Sequence, residues 1–100
     1  MDKEKTTFAH IRIEGRVQGV WFRGWTVQEA RHLNLSGWVR NRRDGTVEAF
    51  FQGDEASVNK MVYLCFKGPP SALVTKVIPS PNDSFVPVVE EGVFKNLPTY

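Results

Sequence analysis

A glycine-punctuated segment near the N-terminus has the residue types of an anion-binding loop. It reads Gly15-Arg16-Val17-Gln18-Gly19-Val20-Trp21-Phe22-Arg23 and joins a predicted strand to a predicted helix. Such a loop can turn several backbone N–H groups inward, and a helix N-terminus adds partial positive charge, which favours a phosphate-sized anion. Arg23 in the first helical turn can donate two parallel hydrogen bonds to phosphate oxygens. The segment matches neither common nucleotide-binding glycine motif, and a purely structural glycine turn fits the same spacing.

Asn41 is a second polar residue that could act on such an anion. It ends the second predicted strand, which should run parallel to the first, so both carboxyl ends lie at the same edge of the sheet. An amide there can accept a hydrogen bond from a water while donating another, and so orient the water. A structural turn role fits the same position equally well. Arg40, Arg42 and Arg43 flank Asn41 and predict a local positive field.

Strands and helices of alternating type are predicted to position these residues. Strands are predicted at residues 8–14, 37–41, 46–52 and 73–78, helices at 22–35 and after the capping residue Asp54, and a further edge strand within 85–94. Asp44-Gly45 predicts a hairpin between the second and third strands. The order β-α-β-β-α-β predicts an α+β fold, a ferredoxin-like sandwich with two helices on one face of a mostly antiparallel four- or five-stranded sheet.

Apolar periodicity predicts which faces of these elements are buried. In the first strand, Ala9, Ile11 and Ile13 alternate with His10, Arg12 and Glu14, which is typical of a half-buried strand. The predicted buried residues of the helices are Phe22, Val27, Ala30 and Leu33 in the first and Val58, Met61, Val62 and Cys65 in the second. Cys65 is therefore expected to be a buried core residue and not a reactive one.

Length and composition limit the classes of protein that fit. The 100 residues suffice for one domain, 1–100. A net charge of +2 lacks the dense basic stripe of a nucleic-acid binder, so small anions are the expected partners and nucleic acid is not. A single cysteine and a charged N-terminus without an apolar run predict a soluble cytoplasmic protein that does not associate with membranes. A monomer is expected, because no large apolar surface stripe is evident.

The glycine segment closely resembles the acylphosphatase signature G-R-V-Q-G-V-x-F-R. Gly37-Trp38-Val39-Arg40-Asn41, continuing through Asp44-Gly45-Thr46-Val47-Glu48, is similar to a second motif of that family. Gly68-Pro69-Pro70 with Ala72 and Val74 resembles a third landmark, so the resemblance covers roughly residues 8 to 78. Trp21 departs from the pattern, because many relatives have glycine there, and residues 82–100 are less similar to the family's usual ending.

The resemblance implies a hydrolase that cleaves acyl phosphates to a carboxylate and inorganic phosphate without a cofactor. It implies that Arg23 binds the phosphate and that Asn41 holds the attacking water. The phosphate cradle is implied to consist of the backbone N–H groups of Gly15, Arg16, Val17, Gln18, Gly19 and Val20. A phosphate oxygen of the substrate is suggested as the acceptor of the water's proton.

Two alternatives use the same fold without this chemistry. A non-hydrolysing anion-binding module could use the same loop, and RNA-recognition domains share the β-α-β-β-α-β order. The third predicted strand, residues 46–52, lacks the aromatic pattern with which RNA-recognition motifs stack bases, and Glu48 would repel phosphates. Retention of both Arg23 and Asn41 favours hydrolysis over binding alone.

Metal-independent activity is the first testable prediction. His10, His32 and Cys65 fall on separate predicted elements, without the spacing of metal ligands. Hydrolysis of an acyl phosphate is therefore expected to proceed at the same rate in excess EDTA. Loss of activity in EDTA, restored by adding a divalent cation, would contradict the prediction.

Overall fold

The computed structural model describes residues 6–100, which contain five strands and two helices. In chain order they are β1 (Thr6–Arg16), α1 (Phe22–His32), β2 (Ser36–Asn41), β3 (Val47–Asp54), α2 (Glu55–Cys65), β4 (Leu73–Pro79) and β5 (Phe94–Asn96). The predicted order of six elements is therefore confirmed, with a short fifth strand added. Neither helix is long and apolar enough to cross a lipid bilayer.

The strands form one mixed sheet in the order β4-β1-β3-β2-β5. β3 pairs antiparallel with both β1 and β2, and β1 pairs antiparallel with β4. β5 lies parallel to β2 at the sheet edge. The predicted ferredoxin-like α+β fold is confirmed. Because β1 and β2 both run opposite to β3, their carboxyl ends lie at the same edge, where α1 begins and Asn41 is located.

Both helices pack on one face of the sheet and bury one stripe of side chains each. The buried residues are Phe22, Thr26 and Ala30 in α1 and Val58, Met61 and Cys65 in α2. The expected positions Val27 and Leu33 of α1 and Val62 of α2 are only half-buried. Thr26 takes the central position instead, because its hydroxyl donates to the Phe22 carbonyl at 2.8 Å and brings no unpaired polar group into the core. Cys65 is fully buried in the core cluster, which confirms its expected core role, and this burial raises the pKa of its thiol.

The opposite face of the sheet holds a buried cluster of charged residues. Arg12 and Glu48 are only 4% and 1% exposed, so the predicted half-buried character of the first strand is wrong around Arg12. Glu48 accepts hydrogen bonds from His10 Nε2 at 2.6 Å, Arg40 Nε at 2.8 Å and Arg42 Nη1 at 2.8 Å. Burial alone raises the pKa of the Glu48 carboxyl, but these three hydrogen bonds outweigh it and lower the pKa overall.

The segment between β4 and β5 covers this cluster. Arg40 Nη2 donates to the Phe85 carbonyl at 2.7 Å, and Trp38 Nε1 donates to the Pro87 carbonyl at 3.0 Å. The expectation of an edge strand over 85–94 is therefore wrong for all but Phe94, where β5 starts. The cause is that side chains of β2 use the segment's carbonyls, and proline has no N–H for a strand ladder.

The buried cluster makes the stability of the fold depend on Glu48. Glu48→Gln is expected to lower the free energy of unfolding at pH 7 by roughly 3–5 kcal/mol, because two arginines lose the carboxylate that balances them. The folded-state pKa of Glu48 lies below its ordinary value, so its contribution is present above the unfolded-state pKa and is lost as pH falls through the folded-state pKa. The difference between variant and wild type should therefore shrink in acid.

Urea unfolding at a series of pH values measures both effects. Glu91→Gln is the matched control, because Glu91 is exposed and the same charge is removed. Equal losses in the two variants at pH 7, or a difference independent of pH, would contradict the role assigned to Glu48.

Candidate active site

The loop between β1 and α1 is shorter than predicted. Gly15 and Arg16 belong to β1, where they pair with Val74 and Leu73 of β4. A Cβ on Gly15 would lie 2.2 Å from the Leu73 carbonyl oxygen, so glycine is required there for the strands to approach. The expectation that the loop begins at Gly15 is therefore wrong by two residues.

The shortened loop turns sharply into the helix. Val17 is buried in the core, and the half-buried Val20 packs against the same core. Gly19 and Trp21 have φ angles of 75° and 68°, in the left-handed region. The first helical hydrogen bond runs from Trp25 N to Trp21 O at 3.0 Å. The first N–H groups of α1 therefore have no acceptor within the helix and are available to an anion.

The side chain of Gln18 ties the loop to the β2–β3 hairpin. Its Nε2 donates to the Arg42 carbonyl at 2.7 Å and to the Thr46 carbonyl at 2.9 Å. The hairpin turn is itself closed by Asp44, whose carboxylate accepts from the Thr46 hydroxyl at 2.6 Å. Hydrogen bonds from the Thr46 hydroxyl and N–H lower the pKa of Asp44, so the turn keeps its carboxylate acceptor at neutral pH. Gln18 thus fixes the distance between the loop and the end of β2.

Arg23 and Asn41 line one cavity of about 240 Å³ at this edge of the sheet. Its complete lining is Val17, Gly19, Trp21, Phe22, Arg23, Gly24, Asn41 and Asn96. Of the predicted loop residues, only Val17 and Gly19 line the cavity. Asn41 Oδ1 is buried and has no hydrogen-bond partner among the described residues. The cavity therefore combines a guanidinium, the start of a helix and an unpaired amide oxygen.

Comparisons with known proteins show the family of this chain. A family model described as Acylphosphatase matches residues 9–85. The chain belongs to the acylphosphatase family. An acylphosphatase of Rhodospirillum rubrum is 64% identical over 64 residues, which are 64% of this chain and 70% of that protein. The acylphosphatase structure from Coxiella burnetii has a TM-score of 0.81 and 32% identity, covering 97% of this chain and 100% of that one.

A second solved structure supports the same fold. The acylphosphatase from Bacillus subtilis has a TM-score of 0.78 and 32% identity, covering 93% of this chain and 99% of that one. The predictions of an acylphosphatase enzyme and of its ferredoxin-like fold are confirmed.

The local charge of this acylphosphatase family member differs from the predicted field. Side chains alternate along β2, so Arg40 and Arg42 project to the face opposite Asn41 and bind Glu48 there. None of the three arginines flanking Asn41 lines the cavity, and the Glu48 carboxylate partly offsets the charge of Arg40 and Arg42. Arg23 is the cationic side chain in the described lining.

Asn96 is a cavity residue that the sequence did not reveal. It ends β5, level with Val39 of β2, and its Oδ1 lies 3.4 Å from Arg23 Nη1. Backbone pairing continues beyond it, because Tyr100 N donates to the Asn41 carbonyl at 2.9 Å. The sequence signal that could have identified Asn96 was the aromatic residue Phe94 two positions before it. The same pattern occurs in many loops, so it does not distinguish a site residue. Asn96 orients the guanidinium that the sequence had identified.

The link made by Gln18 predicts a coupled loss of stability and anion affinity. Gln18→Ala removes two hydrogen bonds and is expected to lower the free energy of unfolding by roughly 1–3 kcal/mol. Because the loop is then free to move away from Asn41, affinity for inorganic phosphate should also fall. Thermal unfolding and phosphate titration by calorimetry measure the two effects.

Gln52→Ala is the matched control, because Gln52 lies opposite Ser36 at the other end of β2 and does not line the cavity. A Gln18→Ala variant that binds phosphate as tightly as the Gln52→Ala variant would show that the link does not maintain the cavity.

Proposed function

We propose that Arg23 and Asn41 carry acyl-phosphate hydrolysis in this chain, at the cavity they share. The observation behind the proposal is that two residues from separate sequence motifs line one small cavity together with the loop and the first turn of α1. Arg23 would hold the phosphoryl group and Asn41 the attacking water. Small acyl phosphates and inorganic phosphate are the corresponding ligands.

Phosphoryl binding rests on Arg23 and backbone N–H groups. Arg23 is the second residue of α1, and Asn96 accepts from one end of its guanidinium, which leaves further donors for phosphate oxygens. The unpaired N–H groups of the first helical turn and those around Gly19 would complete the cradle. Gly15 and Arg16 would contribute indirectly, because they anchor the loop to β4.

Water binding rests on Asn41. Its Oδ1 is buried without a partner in the described residues, and a water O–H is a donor that would satisfy it. An amide in this position orients the water for in-line attack on phosphorus and needs no charge of its own. The hairpin and the C-terminal residues hold the backbone of Asn41 on both sides, through the Gln18 and Tyr100 hydrogen bonds.

The reaction would proceed by direct displacement. The water oxygen bonds to phosphorus as the bond between phosphorus and the carboxylate oxygen breaks, and that electron pair leaves on the carboxylate. No histidine, cysteine or carboxylate lines the cavity in the described residues, so the proton of the water would pass to a phosphoryl oxygen. A carboxylate is a good leaving group, and a fixed field around the phosphoryl oxygens would supply most of the rate enhancement.

The proposal includes a monomeric cytoplasmic protein that does not bind nucleic acid. The one cysteine is buried and free, as in proteins of reducing compartments. The sheet face that RNA-recognition domains use is covered in part by the segment before β5 and holds the buried Glu48 carboxylate.

Variants of the two residues test the proposed roles. Phosphate release from benzoyl phosphate and from phenyl phosphate is compared for wild type, Arg23→Gln and Asn41→Ala. Wild type is expected to cleave only the acyl phosphate, and each variant to lose on the order of 100-fold or more in kcat/KM, because each removes one preorganised contact with the reacting group. Arg23→Gln should also lose affinity for inorganic phosphate, whereas Asn41→Ala should retain it.

Arg43→Gln and Asn59→Ala are the matched controls, because both residues are exposed and neither lines the cavity. Wild-type rates in Asn41→Ala would exclude the water-holding role. A wild type that binds inorganic phosphate but cleaves neither substrate would establish an anion-binding module in place of a hydrolase.

A further inference from the structure

A groove of about 490 Å³ adjoins the cavity that Arg23 and Asn41 line. Its lining is Trp21, Gly24, Val27, Gln28, Arg31, His32 and Asn96, of which Trp21, Gly24 and Asn96 also line the first cavity. We propose that this groove binds the acyl portion of the substrate and selects acyl groups with an apolar, flat part and a second anionic group at the far end. This inference rests on the proposed placement of the phosphoryl group at Arg23.

Trp21 forms the wall next to the phosphoryl cavity. Trp21 is 60% exposed, although its indole is a large, mostly apolar ring. The indole lies directly over the first turn of α1, because a Cβ on Gly24 would be 2.1 Å from Trp21 Nε1. Trp21 also adopts a left-handed conformation that glycine would adopt without strain. A strained, exposed aromatic between two cavities is suited to stack on a planar acyl group.

The helix carries the groove away from the phosphoryl site. Gly24, Gln28 and Arg31 lie on one face of α1, three or four residues apart, and Val27 adds an apolar contact. Gly24 and Arg31 are separated by about 10 Å along the helix axis. An acyl group that spans the groove must therefore be extended, with its carbonyl end near Trp21 and its other end near Arg31.

The far end of the groove is positively charged. Arg31 Nη2 donates to the Phe94 carbonyl at 3.0 Å, which fixes the guanidinium, and its other donors have no partner among the described residues. His32 lies beside it, and no carboxylate appears in the described lining. A carboxylate or phosphate at the end of the acyl group would bind there, because the fork of arginine matches the oxygens of either anion.

Substrate pairs that differ only at one end test the two halves of the groove. Acetyl phosphate and benzoyl phosphate differ in the planar group, and 4-carboxybenzoyl and 4-carbamoylbenzoyl phosphate differ in the distal charge. Trp21→Gly is expected to lower the ratio of kcat/KM for benzoyl over acetyl phosphate by about tenfold. Arg31→Gln should lower the ratio for carboxybenzoyl over carbamoylbenzoyl phosphate by about threefold to fivefold, because the lost ion pair is exposed.

Arg43→Gln serves as the control for charge, since it removes an exposed arginine that does not line the groove. Calorimetric binding of the four corresponding acyl phosphonates, which cannot be hydrolysed, should give the same ratios without turnover. Ratios that stay at wild-type values in both variants would overturn the groove assignment, whatever the rate on acetyl phosphate. A wild type that binds the phosphonates selectively but releases no phosphate would overturn the proposed hydrolysis and leave the groove assignment standing.

Discussion

The antiparallel pairing of β3 with both β1 and β2 is the constraint on which the site depends. Val47 of β3 lies opposite Ile13 on one side and opposite Asn41 on the other, so Asn41 is level with Ile13, three residues before β1 ends. A slip of one residue in β2 would turn Asn41 to the wrong face and bring an arginine to the cavity. The fully buried side chain of Val39 in β2 opposes that slip, because it would have to leave the core.

The same alternation separates two kinds of chemistry within three consecutive residues. Asn41 faces the helices and the cavity, whereas Arg40 and Arg42 face the other side and bind Glu48. The guanidinium of Arg40 also lies 4.9 Å from the Trp38 ring and 4.2 Å from the Tyr100 ring. These contacts hold the C-terminal residues against β2. They thereby help to keep the neighbouring β5 paired with β2. The buried charges therefore support the site, because they help to fix β5, the strand on which Asn96 lies.

Local patterns in the sequence predicted the parts of the structure that local physics determines. The glycine segment, the Asp44-Gly45 turn and the stripe of α2 each follow from short-range geometry, and they were sufficient to place Arg23 and Asn41 at one edge. Burial of Arg12 could not be predicted, because its cover comes from Asp83, far along the chain. The role of Asn96 depends on a parallel pairing of three residues, which has no periodic signal in so short a strand.

Helix α1 serves two functions with two different surfaces. Its first turn, with Arg23 and unpaired N–H groups, faces the small cavity, and the stripe from Gly24 to Arg31 faces the adjoining groove. Because a helix of this length is rigid, the phosphoryl group and the far end of the acyl group would be positioned by one body. Gln28 and Arg31, which line the groove and not the small cavity, could then change without moving the reacting atoms. Chemistry and acyl selectivity would thus be separable at the far end of the groove, with Trp21 at the boundary between the two sites.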